Sequence, residues 1–264
     1  MNFKYFFVSF IIILASLQTS QAEVSPKTNK YLSILLKRPS SDYLFDKFYS
    51  AWLEEASGTD LEKFLDSKFT ETKNPVYRQL KAYYFEIEGN NDLALDIYNE
   101  VISTNSSASL LFKRGALEVH TLEFEKAITD LKAALKQSPS EKLAIQINKL
   151  LGKIYIRDER KEEGLKVWLE MANTFNDEEL KEEVIELMVD EGLFAEANKQ
   201  ISELISKTTN KHKKVTLTLR LGDIFRIQGN KQDALKKYSE TLDSIGTGSW
   251  LEKEVLSQID QVFR

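Results

Sequence analysis

From residue 75 onward, apolar positions recur at three- and four-residue steps in paired stretches separated by short polar turns, a pattern that predicts antiparallel helical hairpins. The pattern is sharpest over residues 221–242, LGDIFRIQGNKQDALKKYSETL. Leu221, Gly222 and Phe225 mark one helix, Gly229 a tight turn, and Ala234 and Tyr238 a second helix returning on the first. A small residue at Gly222 lets the facing helix approach closely, Gly229 tolerates the positive φ that ends a helix, and Ala234 sits where the pair is tightest. Followed back along the chain, the small residue of the second helix becomes Ala94, Ala127, Gly164, Ala197 and Ala234, at spacings of 33, 37, 33 and 37 residues. Four residues after each stands Tyr98, Leu131, Trp168, Ile201 or Tyr238; eight after each stands Ile102, Leu135, Ala172, Ile205 or Leu242. Offsets of four and eight fall on one helical stripe, so five units share one packing plan.

The units are not equally regular. The first runs from Pro75 through a Gly89-Asn90-Asn91 turn to Leu93, Ala94, Ile97, Tyr98 and Val101. The second carries Gly115, Phe124, Ala127, Ala134 and Pro139, with Leu122 where a turn glycine is expected. In the third, Leu151, Gly152 and Tyr155 repeat the Leu221, Gly222, Phe225 arrangement, but the turn 157–160 has no glycine and Gly164 stands in for alanine. The fourth has Gly192, Phe194 and Ala197, with Ile185 at the small position of its first helix. These motifs resemble the tetratricopeptide repeat (TPR) over residues 75–245, most closely in the second and fifth units. The resemblance implies an all-α fold, an α-α superhelix built as a TPR-like solenoid of antiparallel helix hairpins. It also implies a concave groove, lined by the first helices of successive repeats, that grips an extended peptide or a partner's helix.

The flanks read differently. Lys4, the apolar stretch 6–17 (FFVSFIIILASL) and Ser20-Gln21-Ala22 have the order of a secretory signal peptide, cleaved after residue 22. Twelve apolar residues fall short of the ~20 that a spanning helix needs, so a membrane location is expected only if this segment stays uncleaved. The expected product is exported, periplasmic or secreted. Residues 23–40 read as a linker with one or two helical turns before Pro39. Residues 41–70 read as a degenerate N-terminal hairpin: a helix to about Ala56 with Leu44, Phe45, Phe48, Tyr49, Trp52 and Leu53 on one face, a turn at 57–60, and a shorter helix through Leu61, Phe64, Leu65 and Phe69. That aromatic stripe is expected to be core. Five repeats are assigned to 75–246. A last amphipathic helix in 247–264, after the turn Gly246-Thr247-Gly248, either lies on the fifth hairpin or continues into a longer parent protein.

Composition narrows the chemistry. The chain contains no cysteine, which removes disulfides, thiol nucleophiles and Cys-based zinc sites. Its net charge of -5 argues against nucleic acid, whose phosphates call for an excess of Lys and Arg. No phosphate loop, dinucleotide fingerprint, nucleophile elbow or HExxH is present. His120 reads as an ordinary residue late in a first helix, and His212 as part of a basic loop, 211–214. The acidic run Asp177, Glu178, Glu179, Glu182, Glu183 and Glu186 lacks the glycine and oxygen spacing of a calcium loop and reads as a solvated helix face. No catalytic, cofactor or metal residue is assigned.

What remains is surface. Placed on the inner face that the resemblance implies, Lys149, Lys153 and Arg157 form a basic stripe in the third unit. Glu179, Glu182, Glu186 and Asp190 form an acidic stripe in the fourth, and Arg220, Asp223 and Arg226 a largely basic one in the fifth. Of these, Lys149, Lys153, Arg157, Glu182, Glu186, Arg220 and Arg226 are the candidate partner-binding residues. Neighbouring stripes of opposite sign are also expected to neutralise one another, at ~0 to 1 kcal/mol per exposed pair. A carboxylate clamp is not supported, because Asn148 beside Lys149 has no second asparagine to match it. The expected function is a non-catalytic protein–protein interaction scaffold that binds a protein or peptide. The alternative is the helical arm, or N-terminal part, of a larger envelope protein or cell-wall-acting enzyme, which would need a shielded acid in a pocket.

Overall fold

The computed structural model describes residues 24–39, 42–245, 248 and 250–263, and every regular element among them is a helix. The expected signal segment lies outside the described residues, as do Gly246 and Thr247 of the last expected turn. Two compact units divide after Ser106.

The first unit holds α1 (Pro26–Leu35), α2 (Asp42–Leu53), α3 (Gly58–Thr72), α4 (Val76–Ile87) and α5 (Asn91–Thr104). Helix α1 is longer than the linker reading allows. Ser25 caps it by accepting from the Thr28 amide at 3.2 Å, Pro26 supplies a preset φ in the first turn, and Leu32 and Leu35 are buried. The stretch 57–60 is not a turn but a helix start. Ser57 and Asp60 form a reciprocal capping box, so α3 runs for 15 residues and exceeds the 12 of α2. The aromatic residues of the stripe are core, as expected: Phe45, Phe48, Tyr49 and Trp52 are buried, with Phe64 at 4.9 Å from the Trp52 ring and Tyr83 at 5.5 Å from Phe45, whereas Leu53, the last residue of α2, is exposed.

The second unit holds α6 (Ala108–His120), α7 (Phe124–Lys136), α8 (Glu141–Arg157), α9 (Lys161–Phe175), α10 (Glu178–Asp190), α11 (Phe194–Lys207), α12 (Lys211–Ile227), α13 (Lys231–Ser244) and α14 (Trp250–Phe263). From α6 to α14 each helix packs on the next, giving four hairpins in series and then α14. The alternating 33- and 37-residue spacing has a simple cause. First helices α8 and α12 have 17 residues where α6 and α10 have 13, so one additional helical turn lies at the N-terminal ends of the long ones. In α12 that turn is residues 211–214, which the sequence reads as a loop. Asn210 caps it, and the basic start, unfavourable against the helix dipole, is offset by an ion pair from Lys213 to Glu182 on α10.

The hairpin turns share one backbone form although their residues differ. Gly89, Leu122, Glu159, Gly192 and Gly229 all have positive φ, 61° at both Leu122 and Glu159. The next amide in each case bonds back five residues, to Phe85, Glu118, Tyr155, Met188 and Phe225 respectively, as in the glycine-ended C-cap. Tertiary packing thus holds Leu122 in a left-handed state that costs a branched residue about 1–2 kcal/mol, with its side chain exposed. Leu122→Gly is expected to raise stability by about 0.5–1 kcal/mol after the entropy of glycine is subtracted, seen as a higher urea midpoint at unchanged slope.

Where two helices of a hairpin cross, residue sizes are matched across a fixed offset of 16. Gly152 faces Trp168 and Gly222 faces Tyr238: a Cβ at these glycines would lie 2.2 Å and 2.6 Å from the aromatic ring. In the fourth unit Ile185 and Ile201 belong to one buried cluster, with isoleucine at 201 where the third and fifth units have Trp168 and Tyr238, so the bulkier first-helix residue goes with a less bulky partner.

Candidate functional site

The candidate residues of the second unit meet along the first helices α8, α10 and α12. Lys149 pairs with Glu183; Lys153 and Arg157 both reach Glu191, just past the end of α10, at 3.3 Å and 3.4 Å. On the other flank of α10, Glu182 takes Lys213, and Glu186 accepts from Arg220 Nε at 2.6 Å. The acidic helix α10 therefore lies between two basic ones and is neutralised from both sides, which is the self-compensation expected of the stripes. The partners differ in detail from the simplest reading, since Glu183 and Glu191, not Glu182 and Glu186, answer α8.

Arg226 is turned out of this row. Its Nε donates to the Tyr238 hydroxyl at 3.3 Å, and that hydroxyl donates to Asp223 Oδ1 at 2.8 Å. Burial raises the Asp223 carboxyl above its usual range, opposed by the hydroxyl and by Arg226. Arg226 thus fastens α12 to α13.

Between α10 and α12 lies a cleft of about 260 Å³. Val189, Leu217, Leu219, Ile224 and Ile227 supply its apolar surface; Glu182, Glu186, Thr216, Arg220 and Asp223 supply the polar one. Ile227, at the end of α12, is 56% exposed. The helical spacing of 182, 186 and 189 on α10, and of 216, 220, 223 and 227 on α12, brings these side chains to one seam. Lys149, Lys153, Arg157 and Arg226 do not line it.

No family model matches the chain, and no curated protein does. Among solved structures, the chain is similar to the C-terminal part of a TPR repeat-containing protein from Cytophaga hutchinsonii, at 13% identity and a TM-score of 0.53, over 88% of this chain and 84% of that one. A TPR protein from Parabacteroides merdae gives 14% identity and 0.48 over 90% and 91%. YrrB, described as a TPR protein with an unusual peptide-binding site, gives 16% and 0.45 over 70% and 93%. At such identities the first of these speaks to the fold alone.

The fold is that of the TPR-like helical solenoids. Within this TPR-like chain one charged group departs from the plan, and the sequence reading passed over it. Glu118 is 6% exposed and its Oε2 has no hydrogen-bond partner. Burial and the neighbouring Asp130 charge push its carboxyl up to about 7, opposed by Arg114. Arg114 itself holds Asp130 in a two-pronged pair, Nε to Oδ2 at 2.5 Å and Nη2 to Oδ1 at 2.7 Å. The signal was in the register: Glu118 stands where the other units have Phe85, Tyr155, Met188 and Phe225. It is a shielded acid, the attribute an enzyme reading asks for, but it is packed inside the α6–α7 hairpin and does not line the cleft. Among the described residues, no group of three His, Cys, Asp or Glu is placed to hold a metal, and no helix is long and apolar enough to cross a membrane.

Proposed function

We propose that the chain is a non-catalytic docking scaffold whose second unit receives a segment of a partner protein along α8, α10 and α12, with the α10–α12 cleft as its anchor point. The observation that carries this is the cleft itself: an apolar wall reaching solvent through Ile227, set in a surface where Glu182, Glu183, Glu186 and Glu191 are paired with Lys213, Lys149, Arg220 and Lys153. A paired surface contributes register and selectivity more than affinity, whereas an apolar side chain entering a desolvated pocket contributes most of the binding energy. Export follows from the apolar stretch 6–17 and the Ser20-Gln21-Ala22 site, and is supported by the sequence alone. A mature N-terminus at Glu23, read by terminal sequencing of protein from the source cells, is the expected result.

The docking reading is tested with a photo-crosslinking side chain at Ile227 and, as a control, at the exposed turn residue Leu122. A single adduct is expected at 227 and none at 122. Ile227→Asp should lower capture of that adduct's partner about tenfold or more while leaving the melting temperature in place, since Ile227 is half exposed. Equal labelling at both positions would count against the cleft.

A further inference from the structure

Four charged side chains line the α10–α12 cleft, and three of them answer one another or a neighbour. Glu182 is paired with Lys213, and Glu186 with Arg220. Asp223 is the fourth. Its Oδ1 accepts from the Tyr238 hydroxyl at 2.8 Å, and among the described residues no cation forms an ion pair with it. Arg226 reaches this carboxylate only through the same hydroxyl, and Arg220 is turned to Glu186. Burial raises the Asp223 carboxyl; the hydroxyl and the two guanidinium groups oppose that rise without cancelling it, and the charge of Glu254 on α14 adds to it. A desolvated carboxylate whose own neighbours do not offset its burial is one that a further cation stabilises.

The walls select the kind of cation. Val189, Ile224 and Ile227 line the same cleft, and Ile227 stands one helical turn from Asp223 on α12. A hydrated inorganic ion gains nothing from such walls, whereas a cation on an aliphatic stem lays its methylenes along them and sets its head on the carboxylate. A guanidinium bound side-on takes both carboxylate oxygens, and Oδ1 is already engaged by Tyr238; an ammonium needs only one. We infer that the partner segment anchors itself in the α10–α12 cleft by a lysine, whose methylenes lie against Val189 and Ile227 and whose ammonium pairs with Asp223. The inference rests on the reading of the cleft as the anchor point and adds the identity of the anchoring side chain. The apolar contact which that reading requires comes from the lysine's own stem.

The probe is n-hexylammonium, which carries the stem and head of a lysine side chain, titrated into the full chain beside n-hexanol and hexanoate and followed by the methyl resonance of Ile227 in NMR spectra. A ligand of this size should saturate with a Kd of about 1–10 mM. The alcohol should bind about fivefold to tenfold more weakly, and the carboxylate more weakly still. Asp223→Asn, which keeps an acceptor for the Tyr238 hydroxyl, should bring the ammonium down to the affinity of the alcohol without lowering the melting temperature. Ammonium binding no tighter than that of the alcohol, or indifferent to Asp223→Asn, overturns the lysine and leaves the cleft as an apolar anchor. If neither compound shifts the Ile227 resonance, the cleft itself fails and the lysine with it. In the photo-crosslinked adduct at position 227, the partner peptide should carry a lysine within about two residues of the attachment point, and an adduct without one counts against the inference in the same way.

Discussion

Gly164→Ala is expected to destabilise the second unit by about 2–3 kcal/mol, although alanine is ordinarily the better helix former by about 1 kcal/mol. The added Cβ would stand 2.6 Å from the carbonyl oxygen of Gly152 and 2.6 Å from Cγ1 of Ile156. The first of these is backbone and cannot rotate away. Relief requires α8 and α9 to separate, and their separation loosens Trp168, which is fully buried and whose Nε1 donates to the Lys149 carbonyl at 3.0 Å. Gly115→Ala is the control. There a Cβ meets the Ala127 carbonyl and the Leu131 side chain at 3.3 Å, so the small adjustment needed is offset by the gain in helix propensity and the net change should be near zero. Urea denaturation followed by far-UV circular dichroism separates the two outcomes, and equal stability of Gly164→Ala and Gly115→Ala would refute the crossing geometry.

That crossing also shows why much of the fold could be read from the sequence. A small residue sixteen positions before a large one is a local rule repeated in four of the five hairpins, and in the exception Ile185 and Ile201 share one buried cluster. The additional turn of α8 and α12 was present in the 37-residue spacings, although its position at the helix start becomes visible only when all first helices are seen to end two residues before the same left-handed turn. What escaped were features set by caps and by packing. Helix α1 hangs on Ser25 and Pro26 more than on an apolar stripe, and Leu122 and Glu159 adopt a glycine's conformation because the hairpin closes around them. The candidate site was half legible. Opposite charge on successive first helices predicted mutual neutralisation, but the stagger between α8 and α10 that selects Glu183 and Glu191 is a property of stacked hairpins and not of any one of them.

Arg114→Met should cost more than Gly164→Ala, about 3–5 kcal/mol at pH 8, because it strands two carboxylates in the interior of the α6–α7 hairpin. Arg114 supplies both donors to Asp130, and its Nε lies 4.0 Å from Glu118. Without it, Asp130 loses its pair and Glu118 loses the cation that opposes burial. The loss must depend on pH, and its sign follows from the carboxyl of Glu118. In the folded chain that group titrates near 7, above the ordinary value of 4.5, so between those limits the folded state holds more proton than the unfolded one. Its contribution to stability is complete below about pH 4.5 and is lost as pH rises through 7, on the order of 2 kcal/mol in the wild-type chain. At pH 5 the protonated Glu118 no longer repels the Asp130 charge, and the deficit of Arg114→Met should fall to roughly half its value at pH 8. Glu118→Gln, which keeps the shape and removes the charge, should flatten the wild-type pH dependence and, combined with Arg114→Met, recover more stability than the two single changes predict. A deficit that is the same at both pH values would mean that Arg114 acts through packing of its methylenes against the hairpin and not through its charge.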